Sequence, residues 1–281
     1  MIFMPVIILA IIQGITEFLP ISSSGHLVLG HATLGDSLHL NDLDKKRLDI
    51  AVHIGTLLAV IGYFRTDFMN LVIGGIDLLR LRFNTANAKI SLRVLIASIP
   101  VIICGLALFI TDMTLFDSLE IIGWTTLIFG VVLYIADKRS QSNNGIETIT
   151  IKHATIYGLF QCIALIPGVS RSGITMSAGR FMGFSRTESA RFSLLMGIVT
   201  ISSAGALTGI SVFQDQDITN AFLTIIAIGI VVSCVIAYIT IFAMMKWFSG
   251  NGSMTPFVIY RILLGAALLG LLYSGIITEK M

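Results

Sequence analysis

The stretch Gln13-Gly-Ile-Thr-Glu17-Phe-Leu-Pro20-Ile-Ser22-Ser23-Ser24-Gly25-His26 gathers more chemistry than any other part of the 281-residue chain. Gln13 and Glu17 are four apart, so on a helix they share one face and point at one place. Past Pro20 the hydroxyls of Ser22, Ser23 and Ser24 can cap a new helix, whose free N–H groups and dipole suit an anion. His26 falls just inside that helix, placed to give or take a proton. A second stretch, Pro167-Gly-Val-Ser170-Arg171-Ser172-Gly173-Ile-Thr175, supplies the opposite charge. Arg171 stands between serines at a helix start with no acidic residue near it in sequence, which makes a phosphate clamp. Pairing of Arg171 with Glu17 is the alternative use, and the two are compatible if substrate breaks the pair. Ser22, Ser24, Ser170, Ser172, Gly173 and Thr175 complete a phosphate-binding set. Glu17, helped by Gln13, could also hold Mg²⁺ together with substrate oxygens.

The elements that must position these groups are membrane helices. The chain is 55% hydrophobic and 12% charged, against roughly 25% charged in soluble proteins, and its mean hydropathy is +0.92. That excludes a soluble enzyme. The net charge of +2 gives no footing for a nucleic-acid partner. Long uniform apolar runs, rather than alternation, exclude a barrel. Six runs, about 48–64, 90–111, 119–137, 188–210, 219–246 and 256–276, are long enough to cross roughly 30 Å of hydrocarbon. Residues 2–30 and 154–182 are each interrupted by Pro, Gly and hydroxyls, and each reads as a re-entrant hairpin. Its polar tip is tolerated at membrane depth only when buried in protein or facing a wet cavity.

The interrupted segments match each other. A shift of 148 positions sets Gln13 on Gln161, Ile15 on Ile163, Ser22 on Ser170, Ser24 on Ser172 and Gly25 on Gly173. Three crossing runs follow each hairpin, so the expected fold is all-α and polytopic, a single membrane domain over residues 1–281 made of an inverted repeat. Repeat 1 covers about 1–140 and repeat 2 about 152–278, each a re-entrant hairpin plus three transmembrane helices, with the tips meeting near the midplane. Basic residues collect on one side, from Arg65 through Arg180, Arg186, Arg191 and Arg261, against Lys45, Lys46, Arg47 and Lys280 on the other. The positive-inside rule then places both termini outside and the first hairpin dipping in from the outer face. The amphipathic stretch from Phe68 to Leu81 is expected to lie on the surface.

Other polar residues read as structural. His53 begins a crossing run and is expected first as a packing residue, with approach to the site as the alternative. His31, His39 and His153 read as solvated. Arg186, Glu188 and Arg191 read as an interfacial charge group. Cys104, Cys162 and Cys234 lie in apolar runs without metal-ligand spacing and read as core filler.

With Ala51-Val-His-Ile-Gly-Thr-Leu-Leu-Ala59 added, these motifs resemble the bacterial undecaprenyl-diphosphate phosphatases, also called bacitracin-resistance proteins, over essentially the whole chain. The resemblance implies removal of one phosphate from undecaprenyl diphosphate in the inner membrane. That recycles the carrier lipid for peptidoglycan synthesis, cell wall biogenesis and cell shape, and confers resistance to the antibiotic bacitracin. It implies Glu17, Ser23, His26 and Arg171 as catalytic residues, and the family's Glu/Gln-x-x-x-Glu motif on Gln13 and Glu17. It further implies a divalent cation, Mg²⁺ or Ca²⁺, an active site opening to the outer face, and partners limited to the polyprenyl diphosphate lipid and the bilayer, with a homodimer as one expected assembly. Serine and metal-activated water remain equal choices of nucleophile. The rival class is a transporter or flippase of a lipid phosphate or anion on the same inverted repeat. Other phosphatase signatures do not fit. Cys162 and Arg171 are nine apart where the cysteine-based signature needs six, and Ser177 stands where the type-2 phosphatidic-acid phosphatases need a histidine.

Overall fold

The computed structural model describes residues 3–38, 40–111, 118–139, 144–212 and 219–277; His39 and Lys280 fall outside them. The described residues form helices α1 (Phe3–Thr16), α2 (Ser23–Leu38), α3 (Asp42–Tyr63), α4 (Arg65–Leu79), α5 (Ala86–Thr111) and α6 (Leu119–Arg139). They continue with α7 (Ile151–Ile163), α8 (Arg171–Phe181), α9 (Arg186–Val212), α10 (Asn220–Ser249) and α11 (Thr255–Tyr273). The chain is thus an all-helical polytopic membrane protein. Helices α5, α6, α9, α10 and α11 are long and apolar enough to cross a bilayer, and α3 with α4 passes the same test as a pair. Large apolar side chains such as Ile103, Val231 and Leu263 stay exposed on their outer faces, as lipid contact requires. Each of the six apolar runs falls on one helix, with charged turns added at the ends.

Both interruptions are where the sequence places them. Helix α1 stops at Thr16 and α2 restarts at Ser23, while α7 stops at Ile163 and α8 restarts at Arg171. α2 runs to Leu38, beyond the expected hairpin end at 30. The turn from α3 into α4 bends by 92° at Phe64, which removes α4 from the line of α3.

Packing partners follow the matched segments. α1 packs on α10, and α7 packs on α5; α3 packs on α10, and α9 on α5. α3 approaches α10 closely at Gly55, where a methyl group would lie 2.0 Å from Ser233 Oγ and 2.4 Å from Ile230 O. Only glycine fits there. At one end of the bundle, Asp137 of α6 accepts both Arg186 Nε (2.6 Å) and Arg186 Nη2 (3.0 Å), and lies 3.4 Å from Arg180 Nε. Asp67 of α4 takes Arg191 at 2.6 Å, and Glu188 lies 3.5 Å from Arg191 while accepting the Ile146 N–H. The expected charge group is therefore real, but it reaches Asp137 and Asp67 on other helices.

Two packing expectations change. Cys104 is exposed while Cys162 and Cys234 are half-buried, and all three are free. Arg261, counted only among the basic residues that set orientation, is fully buried in α11.

Candidate active site

The two interruptions meet. Each carries a serine just before its second helix with a left-handed backbone, Ser22 at φ 76° and Ser170 at φ 71°. Backbone of this kind is costly for a residue with a Cβ, by about 1–3 kcal/mol, and is retained at functional turns. In each the hydroxyl lies 3.2 Å from that of the serine two residues on, Ser24 and Ser172. Ser170 Oγ also caps α8 by accepting the Gly173 N–H at 3.1 Å. Gly168 sits at φ +88°, and a methyl group there would fall 2.6 Å from Ile122 O, so the second turn needs glycine.

Glu17 is the centre of the cluster and is buried, with 8% of its surface exposed. Its Oε2 accepts Gln13 Nε2 at 2.8 Å and Ser23 Oγ at 2.8 Å. Its Oε1 accepts Arg171 Nη2 at 3.1 Å, across the junction of the two breaks. His53 Nε2 of α3 lies 3.7 Å from Oε2, while His53 Nδ1 is 2.7 Å from the Asp49 carbonyl. A carbonyl can only accept, so Nδ1 carries the proton and Nε2 is the free nitrogen facing Glu17. The expectation of a packing histidine gives way to the alternative. Its signal in the sequence was position: Lys46, Asp49, His53 and Leu57 recur at helical spacing, and all four line one cavity.

That cavity has a volume of about 1180 Å³. Its polar end is formed by Glu17, Ser22, Ser23, Ser24, Ser170 and Arg171. From there it continues between α5 and α9 past Val101, Ile102, Leu106, Phe109 and Leu207. A charged head and an apolar tail are thus accommodated in series.

Other expected site residues are held by bonds of their own. His26 Nδ1 is 2.7 Å from Ser22 O, and Nε2 is 2.6 Å from Tyr260 OH of α11, so both nitrogens are engaged away from Glu17. Ser172 Oγ donates to Leu19 O at 2.8 Å, tying the second break to the first. Thr175 is buried against α9, with its hydroxyl 2.6 Å from Ser193 Oγ and donating to Arg171 O. Gly173 contributes the N–H that Ser170 caps. Gln13, fully buried, turns its NH₂ to Glu17; its carboxamide oxygen points elsewhere and has no partner among the described residues. For a divalent cation the fitting donor is therefore Glu17, with Ser23 and His53 beside it, and Gln13 holds the carboxylate from behind. The described residues contain no group of three or more His, Cys, Asp or Glu side chains able to form a cage. A cation here would take most of its ligands from substrate oxygens and water, as Mg²⁺ commonly does.

Sequence reasoning missed Arg261 as well. Its Nε donates to Thr126 O (3.2 Å), its Nη1 to Pro20 O (3.3 Å), and its Nη2 to Gly168 O (3.0 Å) and Thr125 O (3.4 Å). An arginine seven residues into an apolar helix was the available sign.

A helical membrane protein with a buried carboxylate, arginine and serine hydroxyls at the head of an apolar cavity is built for a lipid anion. The profile of the family described as bacitracin resistance protein BacA matches residues 6–267, and the chain belongs to that family. A protein of Dinoroseobacter shibae named undecaprenyl-diphosphatase is 45% identical over 269 residues, covering 95% of this chain and 98% of its own. Proteins of the same name from Campylobacter curvus, 45% identical over 94% of this chain and 97% of theirs, and Teredinibacter turnerae, 40% identical over 94% and 97%, are similarly full-length matches.

Proposed function

We propose that the chain is an undecaprenyl-diphosphate phosphatase, releasing inorganic phosphate and leaving undecaprenyl phosphate. The observation that carries the reading is the hydrogen bond from Ser23 Oγ to Glu17 Oε2 at the polar end of the apolar cavity. A hydroxyl bonded to a buried carboxylate is a nucleophile beside its base. In this scheme Ser23 Oγ attacks the terminal phosphorus and its proton passes to Glu17 Oε2. The bond to the bridging oxygen breaks, and the electron pair leaves on undecaprenyl phosphate. Glu17 passes that proton to the departing phosphate, then takes a proton from the water that attacks the phosphoserine and returns it to Ser23 Oγ as inorganic phosphate leaves. Arg171, released from Glu17 by the incoming diphosphate, stabilises the charge that grows on the leaving oxygens, together with the N-terminus of α8. A divalent cation, Mg²⁺ or Ca²⁺, held by Glu17 and substrate oxygens, would neutralise further phosphate charge. His26 keeps the Ser22 turn in place through its bond to Ser22 O.

The same reading takes the fold as an inverted repeat, with residues 2–30 and 154–182 as re-entrant hairpins. Supporting it are the two matching serine turns and the exchange of partners, α1 on α10 and α7 on α5. Both termini are assigned to the outer side of the inner membrane, where the cavity opens.

Phosphate release from undecaprenyl diphosphate by purified protein in detergent, with Mg²⁺ or Ca²⁺, tests the activity where transport has no meaning. Release is expected, and its absence alongside flux in liposomes would establish a carrier instead. A radiolabelled phosphoenzyme, trapped by acid from wild type and missing from Ser23→Ala, is expected for serine attack. Full turnover by Ser23→Ala would transfer the attack to water.

A further inference from the structure

The reaction needs two helix starts from distant parts of the chain to aim at one diphosphate, and three side chains tie them. Arg171 reaches Glu17 and Ser172 reaches Leu19 O. Both of these ties lie at the junction itself, and the first is broken whenever substrate claims Arg171. Arg261 is the third, and it alone comes from a helix outside the two breaks. Its guanidinium is fully buried, bonds no carboxylate among the described residues, and is met by four backbone carbonyls. Two of those carbonyls, Pro20 O and Gly168 O, belong to the first and second break. The other two, on Thr125 and Thr126, anchor the fork to α6. Those threonines in turn hold the second break, Thr125 Oγ1 donating to Pro167 O at 2.6 Å and Thr126 Oγ1 bonding Gly168 O at 3.4 Å.

We infer that Arg261 is a positioning residue for phosphate hydrolysis, its guanidinium fork fixing the first and second breaks in register so that Ser23 and Arg171 face the same diphosphate. It does not line the cavity and touches no reacting atom. A fork is required because carbonyls in different directions must be met at once from one rigid plane, which a single ammonium cannot do. A methyl group added at Gly173 would lie 3.4 Å from Nη1, so the positive charge also stands directly behind the α8 helix start.

The inference rests on the phosphatase reading. The test is the kinetics of full-length Arg261→Lys and Arg261→Gln in detergent with undecaprenyl diphosphate, kcat and KM determined separately, and thermal unfolding followed in parallel. Both variants keep the cavity and are expected to fold. Misplacement of reacting groups by about 1 Å costs roughly 100-fold, so kcat is expected to fall by about that factor in both, with KM changed by less than about threefold. Guanidinium ions added to Arg261→Ala are expected to restore part of the rate. Lysine retaining kcat within about threefold of wild type would overturn the inference, as would failure of every variant to fold, which would make Arg261 purely structural. Wild-type protein that releases no phosphate would overturn the phosphatase reading itself, and the role of Arg261 with it.

Discussion

The two helix breaks share a backbone and differ in what they carry. Ser22 and Ser170 adopt the same left-handed conformation, and each pairs with the serine two residues on at the same 3.2 Å. With that frame superposed by the 148-residue shift, Ser23 corresponds to Arg171, Glu17 to Leu165 and His26 to Ile174. The first break therefore holds the hydroxyl and the carboxylate, and the second holds the cation. Their surroundings differ too. α8 is wedged against α6, α7 and α9, with residues Ser172 to Arg180 all buried. α2 has α1 as its main helical neighbour, and Ser23 stays half-buried with Ser24 exposed. On the proposed reading, one copy of the device serves as a rigid grip and the other as an accessible reaction edge.

If that division holds, substitutions in the first break should strike turnover hardest. Glu17→Gln removes the base for Ser23 and the negative charge that pairs with Arg171, and should lower kcat by at least about 10³-fold, combining loss of a base with loss of an electrostatic anchor. A phosphate-release assay on folded protein checks this, and retention of even a tenth of wild-type turnover would remove Glu17 from the chemistry. Arg171→Lys, in the second break, should cost less, about 100-fold in kcat/KM, with a visible rise in KM because the bidentate fork is lost while the charge remains. An effect confined to kcat would contradict its assignment as the grip.

The extent to which this was legible differs along the chain for physical reasons. Helix positions follow from apolar runs of bilayer length, and the breaks follow from Pro, Gly and clustered hydroxyls; both are local properties. Glu17, Ser23 and Arg171 stood out as candidates because an ionisable group within such a break is costly, and the structure brings the three together. What local pattern could not supply was direction. His26 turns to Tyr260, 234 residues away, and His53 reaches Glu17 only because α3 packs beside α1. Arg261 was misjudged as well. It was read only as one of the basic residues that set orientation, and only the tertiary meeting of the breaks shows which carbonyls it serves.

The histidine in the first break sharpens the contrast further. His26 holds the Ser22 turn but makes no contact with Glu17, so His26→Ala should lower kcat by about tenfold, well short of the 10²–10⁴ that a lost acid or base commonly costs. The pH–rate profile should keep its shape. Disappearance of one limb of that profile would show instead that His26 moves a proton in the reaction.

The smallest effect should separate the two serine turns themselves. Ser170 accepts the Gly173 N–H, whereas the bond found for the Ser22 side chain is the one to Ser24. Replacing an N-cap serine with alanine costs about 1 kcal/mol, so Ser170→Ala should lower thermal stability in detergent by about that amount and Ser22→Ala by less. Glycine at either position gives up the hydroxyl but relaxes the left-handed backbone, so Ser170→Gly should be more stable than Ser170→Ala. Equal losses in the two alanine variants would mean that the second turn is no more firmly built than the first, and the difference between grip and reaction edge would then lie in α6, α9 and Arg261 rather than in the turns.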